Sequence, residues 1–158
     1  MFDFSTYDDK AIEGAIRRHQ EKGVTDTDLY RELVEERAKR CSKKLIVEKT
    51  VALLMDAARR EGFVSYKDVA TASGVSFDTV RWQVGKHLDS ILDFCHSKGW
   101  PLLTALCVKQ SEVADGDLSG GSLEGFIKGA RRLGLTVTDE KSFLRECQAA
   151  CFAWAKGQ

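Results

Sequence analysis

Five glycines divide the chain at intervals that suit helices of moderate length. Each follows a run of helix-favouring residues that ends in or near Lys, Arg or Glu; they are Gly23, Gly62, Gly99, Gly134 and Gly157. Glycine is typical just past a helix C-terminus, where the backbone turns into the left-handed region. The chain has one proline, Pro101, so few positions interrupt a helix. These signals predict a mainly α fold.

The segments between the glycines predict seven helices and a small β element. The helices are expected over about 7–22, 26–42, 45–61, 66–73, 77–98, 122–133 and 140–156. The run LLTALCV at 102–108 is too short and too apolar for a surface helix, so it predicts a buried strand. Residues 110–121 are expected to form a glycine-containing loop, and 135–138 offer a second short strand.

The 158 residues correspond to about one domain, and 43% apolar residues are enough for one core. We expect a single domain over 1–158. It begins with an N-terminal helical hairpin at 1–44, continues with a helix-turn-helix region and its following strand at 45–109, and ends with a glycine loop and C-terminal helices at 110–158. The expected core residues are Val51, Leu54, Val69, Val80, Leu88, Ile91, Leu103, Leu106, Phe126 and Trp154.

The charge balance restricts the partners that the chain is suited to bind. Lys+Arg and Asp+Glu both total 24, which excludes a strongly basic nucleic-acid coat protein and an acidic solvating tail. No apolar run approaches the roughly 18 residues of a membrane span, and the acidic N-terminus lacks the pattern of a secretion signal. We therefore expect a cytoplasmic protein that does not contact a membrane.

Residues 63–100 hold the most informative pattern. A short helix containing Ala70 is followed by Gly74, the apolar Val75, Ser76 and then a longer helix. The small alanine lets the second helix cross above it, the glycine permits a tight turn, and Ser76 is expected to cap the second helix through its side chain. This is the layout of a helix-turn-helix motif, and a strand after the second helix is typical of winged-helix proteins.

In such a motif the first turns of the second helix enter the DNA major groove. The outward positions carry side chains that contact bases or phosphates: Ser76, Thr79, Arg81, Trp82, Gln83 and Lys86, with Lys67 on the preceding helix. Asp78 and the local neutrality weigh against DNA, because phosphate neutralisation supplies most of the nonspecific affinity. The same helix–glycine–helix pattern also fits a packed corner that binds nothing.

A dense basic cluster ends the second predicted helix. Its members are Arg37, Lys39, Arg40, Lys43 and Lys44. One interpretation is a helix C-terminus whose cations complement the helix dipole, with glutamates one turn earlier. The other is a patch that flanks the helix-turn-helix and contacts phosphate through Arg37, Arg40, Lys43 and Lys44.

Trp82 distinguishes the alternatives for the second helix. It lies about 200° around the helix from Val80 of the apolar stripe, which places it toward the opposite face. Exposed beside Arg81, it would stack on a base or anchor a protein partner. Alternatively, the N-terminal hairpin covers it, through Leu29 and Leu33.

The region 63–133 resembles the winged-helix DNA-binding domain of the alkylguanine-DNA alkyltransferase and alkyltransferase-like family. The sequence VSYKDVA at 64–70 matches the family's opening V-S/T-Y-G-E-I-A, and VGKHL at 84–88 matches its recognition helix, R-A-V-G-x-A-L. The strand P-I-L-I-P-C-H-R-V is matched in outline by PLLTALC at 101–107, and the following glycine loop by GDLSGG at 116–121. The resemblance implies a winged-helix fold and a DNA partner.

This chain departs from the family pattern at two positions that the family uses for its chemistry. Cys107 is followed by Val108 and Lys109 where the family has His-Arg, so the histidine that activates the family's thiolate is absent. The family's arginine finger aligns with Trp82, one residue past Arg81. The resemblance therefore implies DNA recognition without alkyl transfer.

The sequence offers no catalytic constellation. Cys107 lies in an apolar run without a neighbouring histidine, so we expect it in the core. Cys147 and Cys151 are one helical turn apart and, with Cys95, offer metal ligands; the apolar stripe that they share with Trp154 favours a core role instead. We expect neither a metal nor another cofactor, and no enzymatic activity.

The leading interpretation is a non-catalytic protein that binds double-stranded DNA and uses 77–98 as its recognition helix. Its role would be regulatory, repair-recognition or phage/mobile-element linked. The alternative is a protein–protein interaction module on the same scaffold, which presents Trp82 and Trp100 to a protein partner and binds no nucleic acid.

Overall fold

The glycine-punctuated segments fold into helices close to the predicted ones. A computed structural model describes residues 1–40 and 45–158, and within these ranges it contains seven α-helices and one two-stranded sheet. The elements are α1 (Asp9–Glu21), α2 (Asp28–Arg40), α3 (Val47–Arg59), β1 (Val64–Ser65), α4 (Tyr66–Ala72), α5 (Phe77–Ser97), β2 (Cys107–Val108), α6 (Gly120–Arg132) and α7 (Glu140–Ala155). The expectation of a mainly α fold with a small β element is confirmed.

None of the helices in the described ranges combines the length and apolar character that crossing a membrane requires.

The predicted strands are only partly correct. Within 102–108, Leu103–Leu106 form a 3₁₀ turn, and only Cys107–Val108 pair with another strand, parallel to β1. The whole run is buried, and a buried run of this length looks the same in sequence whether it is extended or helical. The strand expected at 135–138 is absent from the described residues. The N–H of Leu135 is instead bonded to the carbonyl of Ala130 and closes the end of α6.

The predicted N-terminal hairpin corresponds to α1 and α2, which share a small core of their own. Its buried side chains are Ile12, Ala15, Ile16, Tyr30, Leu33 and Val34. Phe94 of α5 packs against this cluster, so the hairpin lies against the longest helix of the described chain. Gln20 donates a hydrogen bond to the Tyr30 hydroxyl at 3.0 Å, which satisfies both groups inside the hairpin.

The two halves of α5 have different environments. From Ser90 to Ser97 six of the eight residues are buried, so this half lies inside the protein. From Phe77 to Asp89 only Val80, Val84 and His87 are buried, and they form one narrow stripe at helical spacing. The N-terminal half of α5 therefore rests on the protein along one line and leaves most of its circumference open.

Most of the expected core is confirmed, with two corrections. Eight of the ten predicted core residues are buried: Val51, Leu54, Val69, Val80, Ile91, Leu103, Leu106 and Phe126. Leu88 is half-buried because it borders an open cavity between α5 and α6. Trp154 is half-buried as well, with its ring 5.5 Å from that of Trp100.

A buried ion-pair network links four helices. The carboxylate of Asp93 on α5, 1% exposed, lies 2.7 Å from the guanidinium of Arg37 on α2 and 2.8 Å from that of Arg132 on α6. Arg37 also pairs with Glu13 of α1 at 3.2 Å. A carboxylate this deeply buried is tolerated because it has two cationic partners.

His87 makes the stability of the fold sensitive to acid. Its ring is 6% exposed, its Nε2 lies 2.8 Å from the hydroxyl of Thr50, and burial lowers its pKa from 6.5 to about 4. The unfolded chain therefore binds this proton more tightly, so stability falls as the pH decreases from 6.5 to about 4. At about 1.4 kcal/mol per pKa unit, the contribution of His87 is on the order of 3 kcal/mol.

This acid sensitivity is measured by urea unfolding of the wild type and of His87→Gln across that pH range. The difference between the two stabilities should shrink as the pH falls, because the variant has no proton to gain at this position. Because both proteins contain His19 and His96, the contributions of these histidines to the pH dependence of stability cancel in the difference. Parallel curves would mean that His87 is already protonated, or is accessible to water, in the folded protein.

Candidate nucleic-acid interface

The connection from α4 to α5 is a tight turn that exposes the start of α5. Ser65 caps α4 in a reciprocal pair of hydrogen bonds with Asp68, as its sequence spacing suggests. At the other end of α4, Gly74 has a φ of 76°, and the N–H of Val75 is bonded to the carbonyl of Ala70 at 3.1 Å. The left-handed conformation at Gly74 explains why glycine occupies this position.

The side-chain cap expected from Ser76 is wrong. Ser76 does occupy the N-cap position, but its hydroxyl accepts no capping hydrogen bond. Its carbonyl instead accepts from the N–H of Thr79 at 3.1 Å, an i to i+3 bond that tightens the first turn. Because Ser76 is exposed, its hydroxyl is available to an external partner.

Trp82 is the most exposed aromatic side chain of the described residues. It is 89% exposed on the N-terminal half of α5, as its position opposite Val80 predicts. The alternative, in which the hairpin covers it, is wrong: Leu33 is buried at 1% inside the α1–α2 core, and Leu29 packs against that same core. An indole left in water at such a position is available for an external contact.

Four donor side chains of α4 and the N-terminal half of α5 are exposed and have no hydrogen-bond or ion-pair partner within 1–40 and 45–158. They are Lys67 on α4 and Thr79, Gln83 and Lys86 on α5. Arg81 is more restrained: its guanidinium lies 3.4 Å from Asp78 and 5.7 Å from the ring centre of Phe77. Its side chain is 50% exposed, so the Asp78 pair is a weak surface contact that a phosphate or base could replace.

Two arginines of the basic cluster are engaged within the fold. Arg37 is buried in the network around Asp93, so a surface position for it is wrong. Arg40 donates to the backbone carbonyls of Phe4 and Tyr7 at 2.9 and 2.6 Å and pairs with Glu36, which ties the N-terminal segment to α2. Lys43 and Lys44 lie outside the described residues.

A cavity of about 330 Å³ opens beside this surface, between α4, α5 and α6. Phe77, Arg81, Gly85 and Leu88 of α5 line one side, and Phe126 lies on the α6 side. Sequence reasoning missed this cavity. The signal was the spacing of Gly121, Gly125 and Gly129, which places three glycines on one face of α6.

These glycines explain where the two helices touch and where they separate. A Cβ added at Gly129 would lie 2.5 Å from the Leu92 side chain of α5, so this side chain packs directly against the α6 backbone there. A Cβ at Gly121, Gly125 or Gly85 would meet nothing within 4 Å, so no side chain fills the space at the other end. The cavity is the gap that remains.

Four uncharged side chains of the cavity lining carry hydrogen-bonding atoms: Tyr66, Thr104, Cys107 and Ser122, whose side chain is hydrogen-bonded to the Tyr66 phenol. Burial raises the pKa of the Tyr66 phenol and of the Cys107 thiol, so both stay protonated. Thr104, 5% exposed, also lines the cavity, and its hydroxyl oxygen has no hydrogen-bond partner in the described chain. Such an orphan is uncommon, because buried hydroxyl groups usually find a partner.

The cysteines of the described chain are placed as core residues. Cys95, Cys107 and Cys151 are buried, and Cys147 is half-buried. Burial raises the pKa of Cys95 and Cys147 to about 12, which disfavours the thiolate that metals and electrophiles require. The Cys151 sulfur lies 3.4 Å from the carbonyl oxygen of Leu102. Within the described ranges, no three His, Cys, Asp or Glu side chains are grouped to hold a metal.

Comparison with protein-family models, curated proteins and solved structures finds no match for this chain. The alkyltransferase resemblance therefore rests on the four short motifs in 64–121 alone. The function has to be inferred from the site itself.

Proposed function

We propose that the protein binds double-stranded DNA by placing the N-terminal half of α5 in the major groove, as the second helix of a helix-turn-helix variant. One observation carries the proposal: this half of α5 rests on the protein along a single stripe, and its open face presents Trp82 at 89% exposure. Three further side chains of this half-helix, those of Thr79, Gln83 and Lys86, are donors without partners in the described chain. Such a surface is suited to an external ligand.

The dimensions of the exposed half-helix suit a groove. Thirteen residues from Phe77 to Asp89 span about 20 Å at 1.5 Å per residue, and the major groove admits a helix. In this arrangement Thr79 and Gln83 contact base edges or phosphates, and Arg81 exchanges its Asp78 pair for a guanine edge. Trp82 stacks against a base or wedges beside it.

The available charge predicts modest affinity. With Arg37 and Arg40 engaged in the fold, the cations of this surface are Lys67, Arg81 and Lys86. With Arg81 on a guanine edge, two phosphate contacts, from Lys67 and Lys86, would give a slope of about −1.8 in the logarithm of the binding constant against the logarithm of the salt concentration. This slope is far shallower than that of a large repressor, so sequence or shape recognition must supply the remaining affinity.

The decisive measurement is fluorescence anisotropy with a duplex enriched from a random pool, across a salt series. Arg81→Ala and Trp82→Ala should each weaken binding by about 1–3 kcal/mol, because one removes a bidentate contact and the other a stacking surface. Both side chains are exposed, so unfolding free energies should change little.

Lys10→Ala is the matched control for these variants. It removes one exposed cation from α1, away from the α4–α5 turn, and should leave binding unchanged. DNA recognition by α5 is contradicted if no duplex is enriched and none binds at about 50 mM salt, or if both α5 variants bind like the wild type.

A protein partner is the second candidate, and one observation favours it. Trp82 lies on the same half-helix as an apolar cavity edge formed by Phe77 and Leu88, whereas only two cations of α4 and this half-helix are unpaired in the described chain, Lys67 and Lys86. Trp and Arg beside an apolar recess are typical of interface hot spots. A chain that binds no duplex at low salt would favour this candidate.

A further inference from the structure

We infer that the cavity between α4, α5 and α6 is a binding site for a small, uncharged aromatic molecule that carries one hydrogen-bonding group. The inference is separate from DNA binding, because it concerns the recess beside the exposed face of α5 and is tested on the protein alone.

The size and shape of the cavity suit a flat ring system. A volume of about 330 Å³ is roughly twice that of an engineered cavity known to hold benzene. Bare helix backbone flanks the opening at Gly85 on one side and at Gly121 and Gly125 on the other, so a planar ligand fits between them without displacing a side chain. The rings of Phe77 and Phe126 supply aromatic contact surface.

The polarity of the inner wall selects an uncharged ligand. Its uncharged polar groups are the phenol of Tyr66, the thiol of Cys107 and the hydroxyls of Thr104 and Ser122. A charged group placed there would lose its hydration without an opposite charge. The charged residues of the lining are Arg81 and Asp89. Because their charges have opposite signs, the lining does not favour a ligand of either charge.

The unpartnered hydroxyl of Thr104 indicates that the ligand carries a hydrogen-bonding group. Thr104 lines the cavity, and its hydroxyl oxygen is almost completely covered and has no partner in the described residues. A ligand hydroxyl, amide or carbonyl at this wall provides the missing partner when rotation of the Thr104 side chain turns its hydroxyl toward the cavity. The expected gain is about 2- to 10-fold in affinity over a ligand of the same shape without that group.

The experiment compares two probes of nearly equal shape, p-cresol and toluene, titrated into the full chain carrying labelled methyl groups. Both probes should shift the methyl resonances of Leu88 and Leu92, which line the cavity, and p-cresol should bind more tightly. Thr104→Val replaces the hydroxyl with a methyl group of similar size. It should abolish the preference for p-cresol while toluene still binds.

Gly125→Leu tests the location. Its side chain extends into open space on a helix, so the variant is expected to fold, and it should block both probes. Lys128→Leu adds the same side chain at an exposed position of α6 outside the cavity and should leave binding intact. Thermal unfolding of each variant verifies the fold before titration.

The outcomes test the existence of the site and the proposed class of ligand separately. If neither probe binds at low millimolar concentration, or Gly125→Leu binds like the wild type, the site is refuted. If both probes bind but the preference for p-cresol survives Thr104→Val, the assignment of Thr104 and of the ligand class is overturned.

Discussion

Asp93→Ala should lower the free energy of unfolding by about 3–5 kcal/mol. The carboxylate is 1% exposed and joins Arg37 of α2 to Arg132 of α6. Removing it leaves the guanidinium of Arg37, 7% exposed, with only Glu13 as its ionic partner. A buried cation whose remaining partner is partly exposed is poorly compensated, and here it would lie between the hairpin and α5.

Urea unfolding at neutral pH measures this loss. Asp56→Ala is the control: it breaks the exposed Arg60–Asp56 pair of α3, in which Asp56 is 68% exposed, and should cost less than 1 kcal/mol. Replacing both buried partners, in Arg37→Met with Asp93→Leu, should be less harmful than Asp93→Ala alone, because no unpaired charge remains between them. A loss below about 1 kcal/mol in Asp93→Ala would mean that water reaches the network.

The same network illustrates what sequence reasoning could not provide. The helices were predictable because their signals are local: glycines past the C-termini, a capping box at Ser65, and apolar residues at helical spacing. The partners of Arg37 lie 24 and 56 residues away, at Glu13 and Asp93. Helical spacing places Arg37 on the same face of α2 as Leu33 and Val34, unlike the exposed Lys39, but nothing in the local sequence identifies its distant partners.

The candidate interface was predictable in part for the same reason. The exposure of Trp82 follows from its angle to Val80 on a single helix, a local property. The failure of the Ser76 cap is also local, but it depends on a hydroxyl rotamer that residue type does not determine. The cavity depends on how α6 packs against α5. Its glycines are visible in the sequence, but the helix that they face is not.

Gly116→Ala should cost about 2–4 kcal/mol, since two separate penalties coincide at this position. Gly116 has a φ of 70°, a conformation that disfavours any residue with a Cβ. The added methyl group would also overlap the ring of Phe63, which covers the glycine directly. The carbonyl of Gly116 accepts from Gln148 of α7 at 2.7 Å, so a shift of this loop disturbs the contact that holds α7.

Gly23→Ala separates the two penalties. Gly23 has nearly the same φ, 68°, but a Cβ there would meet nothing within 4 Å, so this variant should lose only about 1 kcal/mol from backbone strain. The excess loss in Gly116→Ala then measures the clash with Phe63. Phe63→Leu, combined with Gly116→Ala, should recover part of that excess because a smaller side chain gives the methyl group room. If chemical denaturation finds equal losses at the two glycines, Phe63 does not cover Gly116, and the tight closure of the glycine loop onto the core is wrong.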